Sequence, residues 1–96
     1  MSNNKDYKWH ADPGHAWLAV SIKELRTLGI LRDITMYSYV SLDEKTAFLE
    51  EDCDAFTFYR AKKKSQEPID LGAIGDSSYI INVRGLSSIH CLPDFK

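Results

Sequence analysis

The chain has 96 residues, a mass of 11.0 kDa and a formal net charge of −2. Its length predicts one domain over residues 1–96, and its composition (44% hydrophobic, 27% charged) excludes disordered, collagen-like and low-complexity chains. The near-neutral charge argues against a dedicated nucleic-acid binder, and the absence of a signal peptide or a long apolar run leads us to expect a cytoplasmic protein whose two cysteines are free thiols.

The first predicted elements are a β-hairpin and a helix. Two runs rich in aromatic and apolar residues, 7–11 and 16–20, flank a turn centred on Pro13 and Gly14. Ser21 and Glu24 have the spacing of a capping box, which predicts the start of the helix. Gly29 then predicts its C-terminal stop. The pattern predicts a ββα unit over about residues 7–30.

A second ββα unit is predicted over about residues 34–64. Ile34–Val40 is rich in β-branched and aromatic residues and predicts a strand, which a turn at 43–45 connects to a returning strand, Thr46–Glu50. Asp52 is the predicted N-cap of the second helix. The Ala-Trp-Leu sequence of Ala16–Leu18 recurs as Ala-Phe-Leu 31 positions later, which indicates pseudo-symmetry between the two units.

The C-terminal tail, about residues 66–96, is predicted to contain a third hairpin. Its strands would be Tyr79–Val83 and Ser88–Leu92, with a turn at Arg84 and Gly85, whereas residues 69–76 receive no assignment. The predicted fold class is therefore α+β, with an antiparallel sheet of four to six strands in the order ββα-ββα-ββ and two helices on one face.

The outer face of this sheet is predicted to be unusually aromatic. Alternate side chains of a strand point to opposite faces, so one set of positions should lie beneath the helices. That inner set comprises Leu18, Val20, Ile34, Met36, Val40, Ala47 and Leu49. The alternate positions carry aromatic rings, which Trp9 would join in one register, and acidic residues follow them. The predicted partner-binding residues are Trp17, Tyr37, Tyr39, Phe48, Glu50 and Glu51.

Three interpretations of the aromatic face are open. The C-terminal hairpin could fold across it and create a second small core. Alternatively, the face could be a homodimer interface or a platform for a protein partner, where Trp and Tyr often act as hot spots. As a third interpretation, Tyr37 and Tyr39 could stack successive bases of single-stranded nucleic acid, although the neighbouring carboxylates would repel phosphates.

The candidate residues for metal or nucleophilic chemistry form no diagnostic motif. His10, Asp12 and His15 could bind zinc together with Cys53 or with the pair at 90–91, but solvated histidines in a turn are the preferred explanation of the spacing. Acidic neighbours disfavour a reactive thiolate at Cys53. We therefore predict no catalytic residue, no metal site and no cofactor.

Three segments, Pro13–Val20, Tyr37–Tyr39 and Phe48–Ala55, resemble a family of small uncharacterised bacterial and phage or mobile-element proteins. The resemblance covers roughly the first 60 residues and, more weakly, residues 92–93. It implies a compact accessory protein and assigns no catalytic residue. The leading hypothesis is a non-enzymatic intracellular module that binds a host protein. A small single-stranded nucleic-acid binder is the alternative, and a metal-dependent enzyme is the third hypothesis.

Overall fold

The computed structural model describes residues 7–12, 14–76 and 82–93. Within these residues one antiparallel sheet has the strand order β1-β2-β4-β3-β5. The strands are β1 (Lys8–Ala11), β2 (Ala16–Ser21), β3 (Tyr39–Val40), β4 (Thr46–Glu50) and β5 (Ser87–Ser88). The α-helices are α1 (Ile22–Thr27) and α2 (Asp54–Lys64). This arrangement confirms the predicted α+β class.

Helix α1 begins and ends where the sequence predicts. The backbone N–H of Glu24 donates to the Ser21 hydroxyl at 3.4 Å, so Ser21 is the N-cap. Gly29 follows the helix with a φ of +73°, a left-handed conformation that glycine adopts without a steric penalty. Neither α1 nor α2, the α-helices of the described ranges, has the length and apolarity needed to cross a bilayer.

Strands β2 and β4 form the centre of the sheet and join the two ββα units. Leu18 lies directly opposite Leu49, which is also its counterpart in the internal sequence similarity. The pairs on either side, Trp17 with Glu50 and Ala19 with Phe48, are then exchanged by a two-fold axis through the leucine pair. The register of β2 against β4 therefore has the symmetry that the repeated sequence indicates, whereas β3 pairs with β4 two residues away from the register that the repeat would give.

Both helices pack on one face of the sheet and form the inner core. The apolar residues of α1 and α2 join the strand residues of that face in one buried cluster, which includes Leu18, Val20, Ile22, Leu25, Ile34, Val40, Ala47, Leu49, Ala55 and Phe58. Trp9 pairs with Leu18 and therefore lies on this inner face, where its indole N–H donates to the Leu71 carbonyl at 3.2 Å. The prediction that Trp9 joins the outer face is wrong.

The predicted strand Ile34–Val40 is wrong over most of its length. Only Tyr39 and Val40 belong to β3, and the preceding residues form a turn. Met36, predicted to point inward, is 61% exposed. The cause is the carboxyl group of Asp54, which accepts hydrogen bonds from the Thr35 backbone N–H (3.1 Å), the Thr35 hydroxyl (2.7 Å) and the Ser38 hydroxyl. These bonds hold the turn against the start of α2.

Helix α2 begins one residue later than the predicted cap implies. Cys53, not Asp52, is the N-cap residue, and its side chain makes no capping hydrogen bond. Asp54 is the first helical residue and is buried, while Asp52 is exposed. The acidic residues at 50–54 therefore comprise one buried structural carboxyl group, Asp54, two exposed ones, Glu51 and Asp52, and the half-buried Glu50.

Only part of the predicted third hairpin falls within the described residues, and that part does not form a hairpin. Residues 79–81 lie outside the described residues, and Val83 belongs to a short 3₁₀ helix, Val83–Gly85. The predicted strand Ser88–Leu92 is wrong, because β5 ends at Ser88 and a 3₁₀ helix, Ile89–Cys91, follows it. The Ser88 hydroxyl accepts from the His90 backbone N–H at 3.3 Å, which stabilises that change of direction. Further 3₁₀ helices cover Leu31–Asp33 and Leu71–Ala73.

A partly buried polar network connects Tyr7, the residue before β1, to both helices. The Tyr7 hydroxyl lies 2.9 Å from each carboxylate oxygen of Glu24, and Lys62 Nζ lies 2.8 Å from Oε2 of the same residue. Burial, and then the interactions with Glu24, raise the pKa of Tyr7 to about 12. Burial lowers the pKa of Lys62, but the hydrogen bond and charge of Glu24 outweigh it and leave that pKa raised.

Alkaline titration tests this network. The folded protein holds the Tyr7 proton more tightly than the unfolded chain, so the stability from this phenol is complete below pH 10 and is lost as the pH rises through about 12. We expect the phenolate absorbance of the wild type to include a step near pH 12 that Tyr7→Phe lacks. Tyr37→Phe, which removes an exposed phenol, should keep this step. Identical curves for wild type and Tyr7→Phe would contradict the assignment.

Candidate functional site

The outer face of the sheet carries most of the predicted aromatic residues. Trp17 lies opposite Glu50, and Phe48 lies between Ala19 and Tyr39 on the neighbouring strands. Directly opposed residues in antiparallel strands share a face. The structure therefore brings together the predicted site residues that belong to strands.

Part of this face is covered by the tail segment 82–86. Val83 and Leu86 pack against Trp17 and Phe48 and form an outer cluster with them. Trp17 is consequently only 3% exposed and Phe48 only 5%. The second small core that the sequence leaves open as an alternative is present at these two residues, and their side chains are shielded from solvent.

Arg84 holds the tail segment to the turn between β1 and β2. Its Nε donates to Asp12 Oδ2 at 2.7 Å, its Nη2 contacts Nδ1 of His15, and its guanidinium carbon lies 5.5 Å from the centre of the Trp17 ring. The Arg84 hydrogen bond, with help from the backbone N–H groups of Gly14 and His15, lowers the pKa of Asp12 to about 2. Asp12 reciprocally raises the pKa of Arg84.

These contacts involve the three residues, His10, Asp12 and His15, whose spacing was weighed as a zinc site in the sequence. Asp12 and His15 bind Arg84, while His10 packs edge-on against Phe48 with 5.3 Å between ring centres. Burial lowers the pKa of His10. In the part of the chain that the structure describes, no group of three His, Cys, Asp or Glu residues is arranged to hold a metal ion.

An open cleft of about 300 Å³ lies beside the covered part of the outer face. We call it the aromatic cleft. Its lining combines rings with groups of both charges: His15, Trp17, Tyr37, Tyr39, Glu50, Cys53 and Arg84. Four of the six predicted partner-binding residues are among them. Phe48 lies in the outer cluster, and Glu51 is exposed outside this lining.

The rings of the aromatic cleft are fixed by contacts with one another. His15 stacks on Trp17 with 5.9 Å between ring centres, and Tyr39 meets Trp17 edge-on at 6.1 Å. Tyr37, by contrast, is 65% exposed. The Ser38 hydroxyl accepts from the Glu50 backbone N–H at 3.0 Å and connects the Tyr37 turn to the end of β4. The cleft therefore has an inner wall of rings in mutual contact, around Trp17, beside the largely exposed ring of Tyr37.

Sequence reasoning missed His15, Cys53 and Arg84 as lining residues. Cys53 comes three residues after Glu50 and two after Glu51, both predicted site residues, and this proximity in the sequence is the local signal for it. Arg84 reaches the cleft through a contact with Asp12, which lies near the other end of the chain. No local pattern in the sequence indicates that contact.

Comparison with known proteins adds no family assignment. No family model matches the chain, and no curated protein or solved structure shows significant similarity to it. The resemblance to phage and mobile-element proteins therefore stays a prediction.

Proposed function

We propose that the chain is a non-enzymatic cytoplasmic module that binds a segment of another protein in the aromatic cleft. The observation that carries this proposal is the exposure of Tyr37, 65%, in a cleft that also contains Trp17, Tyr39 and Glu50. An exposed tyrosine beside a preformed concave surface is typical of interface hot spots, because its ring contributes a large contact area at a low entropic cost.

The arrangement of the inner wall supports binding with little rearrangement. Trp17 is held by His15, Tyr39 and Arg84, and the tail segment 82–86 covers its remaining surface. Side chains that are already ordered lose little conformational entropy when a partner binds. The cleft therefore has the preorganisation that a recognition surface needs.

The charges around the cleft favour a protein over a nucleic acid. Glu50 lines the cleft, and Glu51 and Asp52 are exposed immediately after it. Arg84, the cation of the lining, is paired with Asp12. Phosphates would meet carboxylates here, which disfavours single-stranded nucleic acid as the ligand. In line with the resemblance of its motifs, we propose that the chain is a phage or mobile-element accessory protein and that its partner is a host protein.

A comparison of two surface variants tests the function. Tyr37→Ala removes the exposed ring of the cleft, whereas Leu42→Ala removes an exposed apolar side chain outside its lining. Tagged wild type and Leu42→Ala should retain the same protein from a bacterial lysate, identified by mass spectrometry. Tyr37→Ala should retain at least about tenfold less, as expected for loss of a hot-spot aromatic.

Two outcomes contradict the function. In the first, Tyr37→Ala retains the same proteins in the same amounts as the wild type. In the second, the wild type retains no protein that Tyr37→Ala does not. A circular dichroism spectrum of each variant establishes that the comparison is made between folded proteins.

A further inference from the structure

We infer that the aromatic cleft binds an arginine side chain presented by the partner segment. This inference rests on the proposed protein-binding function and assigns the chemistry of the residue that the cleft accepts. Three features of the cleft carry it: the accessible tyrosine rings, the carboxylate of Glu50, and a volume that fits one long, planar side chain.

The first feature is the set of rings that a ligand can reach. Trp17 is almost fully buried, and its face carries the guanidinium of Arg84. Tyr37 is largely exposed, Tyr39 is half-buried and the imidazole of His15 is exposed, so the two tyrosines present the phenol rings that a ligand can reach. Tyrosine faces attract cations through the ring quadrupole.

The second feature is an uncompensated negative charge in the cleft. Glu50 makes no ion pair within the described residues, whereas Arg84 is 2.7 Å from the Asp12 carboxylate. Nδ1 of His15 faces the Arg84 guanidinium, a group that can only donate, so Nδ1 is the acceptor. Glu51 and Asp52 add exposed negative charge next to the cleft. A cationic group is therefore the complement of this lining.

The third feature favours a guanidinium over an ammonium group. A guanidinium is planar, stacks on a tyrosine ring and donates two parallel hydrogen bonds to one carboxylate. The protein already uses this stacking elsewhere, since Arg60 lies 4.9 Å from the centre of the Phe56 ring. A volume of about 300 Å³ is at the lower end of the range for ligand pockets, which suits a single long side chain.

Nuclear magnetic resonance on the purified full chain tests the inference directly. The probes are three terminally blocked tripeptides, Gly-Arg-Gly, Gly-Lys-Gly and Gly-Gln-Gly, titrated into isotope-labelled protein. The arginine peptide should shift the amide signals of Tyr37, Tyr39, Glu50 and Cys53. The lysine peptide should bind more weakly, and the glutamine peptide should produce no saturable shift.

Two charge-matched variants identify the group responsible. Glu50→Gln should weaken the arginine peptide at least about tenfold, the loss expected for one charge-assisted hydrogen-bonded pair. Glu44→Gln makes the same change in net charge in the exposed turn at the other end of β4 and should bind within about twofold of wild type. Tyr37→Leu removes the accessible ring without altering the charge and should also weaken binding of the arginine peptide. It replaces Glu50→Gln as the test variant if Glu50→Gln does not fold.

The inference is overturned if the arginine peptide causes no saturable shift, if all three peptides shift the same signals equally, or if Glu44→Gln weakens binding as much as Glu50→Gln. These outcomes are separable from failure of the proposed function. Retention of a protein that depends on Tyr37, together with no arginine binding, would keep the function and reject the arginine. Arginine binding without any Tyr37-dependent protein would reject the function.

Discussion

Replacing Trp17 with alanine is expected to lower the free energy of unfolding by about 3–5 kcal/mol. The indole is 3% exposed and packs in the outer cluster with Phe48 and Val83. It also supports the Arg84 guanidinium and the edge of the Tyr39 ring. Its removal leaves a cavity where the tail meets the sheet. Urea denaturation followed by circular dichroism measures the change.

Tyr37→Ala is the control for this prediction. It removes a comparable ring, but one that is 65% exposed, so the loss should be below about 1 kcal/mol. Equal losses for the two variants would contradict the burial of Trp17. The contrast also decides which ring can be used to test binding, because a Trp17 variant would lose partners simply through unfolding.

Asp54→Ala is expected to destabilise the protein by about 3 kcal/mol or more. The Asp54 side chain is buried and accepts from the Thr35 backbone N–H, the Thr35 hydroxyl and the Ser38 hydroxyl. Without the Asp54 carboxyl group, the Thr35 backbone N–H and the hydroxyls of Thr35 and Ser38 lose their acceptor at the start of α2. Denaturation measures the loss, and hydrogen exchange at the Thr35 amide should become faster because its acceptor is gone.

Asp52→Ala provides the charge-matched comparison. Asp52 is exposed and lies two residues before Asp54, so its replacement should cost less than about 1 kcal/mol. If the two alanine variants are equally stable, the role assigned to Asp54 is wrong. If the Thr35 amide exchanges at the wild-type rate in Asp54→Ala, the hydrogen bonds from the turn are not formed in solution.

Elements specified by local interactions could be predicted from the sequence. The cap formed by Ser21 and Glu24 and the left-handed Gly29 act within one helix, and both are found where the pattern indicates. The strand Thr46–Glu50 alternates correctly between the two faces, because one face must be buried beneath the helices. The α+β class follows from these local patterns.

Elements that depend on distant groups could not be predicted. Ile34–Val40 has the composition of a strand, yet Asp54 accepts hydrogen bonds from Thr35 and Ser38. These bonds hold the segment in a turn, so β3 is only two residues long. Tertiary hydrogen bonds here outweigh the intrinsic β propensity of the segment.

The same distinction applies to the candidate site. Strand alternation correctly placed Trp17 and Tyr39 on the outer face, and Tyr37 lines the cleft although it lies in a turn. Trp17 and Phe48 are covered by Val83 and Leu86 of the tail segment. A hydrogen bond between Arg84 and Asp12, which are far apart in the sequence, holds this segment against the sheet. Periodicity carries no information about such a contact.

The two-fold relation between strands β2 and β4 has a consequence for binding stoichiometry. The axis through Leu18 and Leu49 exchanges Trp17 with Phe48 and Glu50 with Ala19. A homodimer of a single ββα unit would present every surface feature in two copies. In this chain the counterpart of the Glu50 carboxylate is a methyl group, so the symmetry of the backbone is broken by its side chains. The acidic wall of the cleft therefore occurs at one end of the central strand pair and lacks a symmetry-related copy at the other, which suits one ligand per chain.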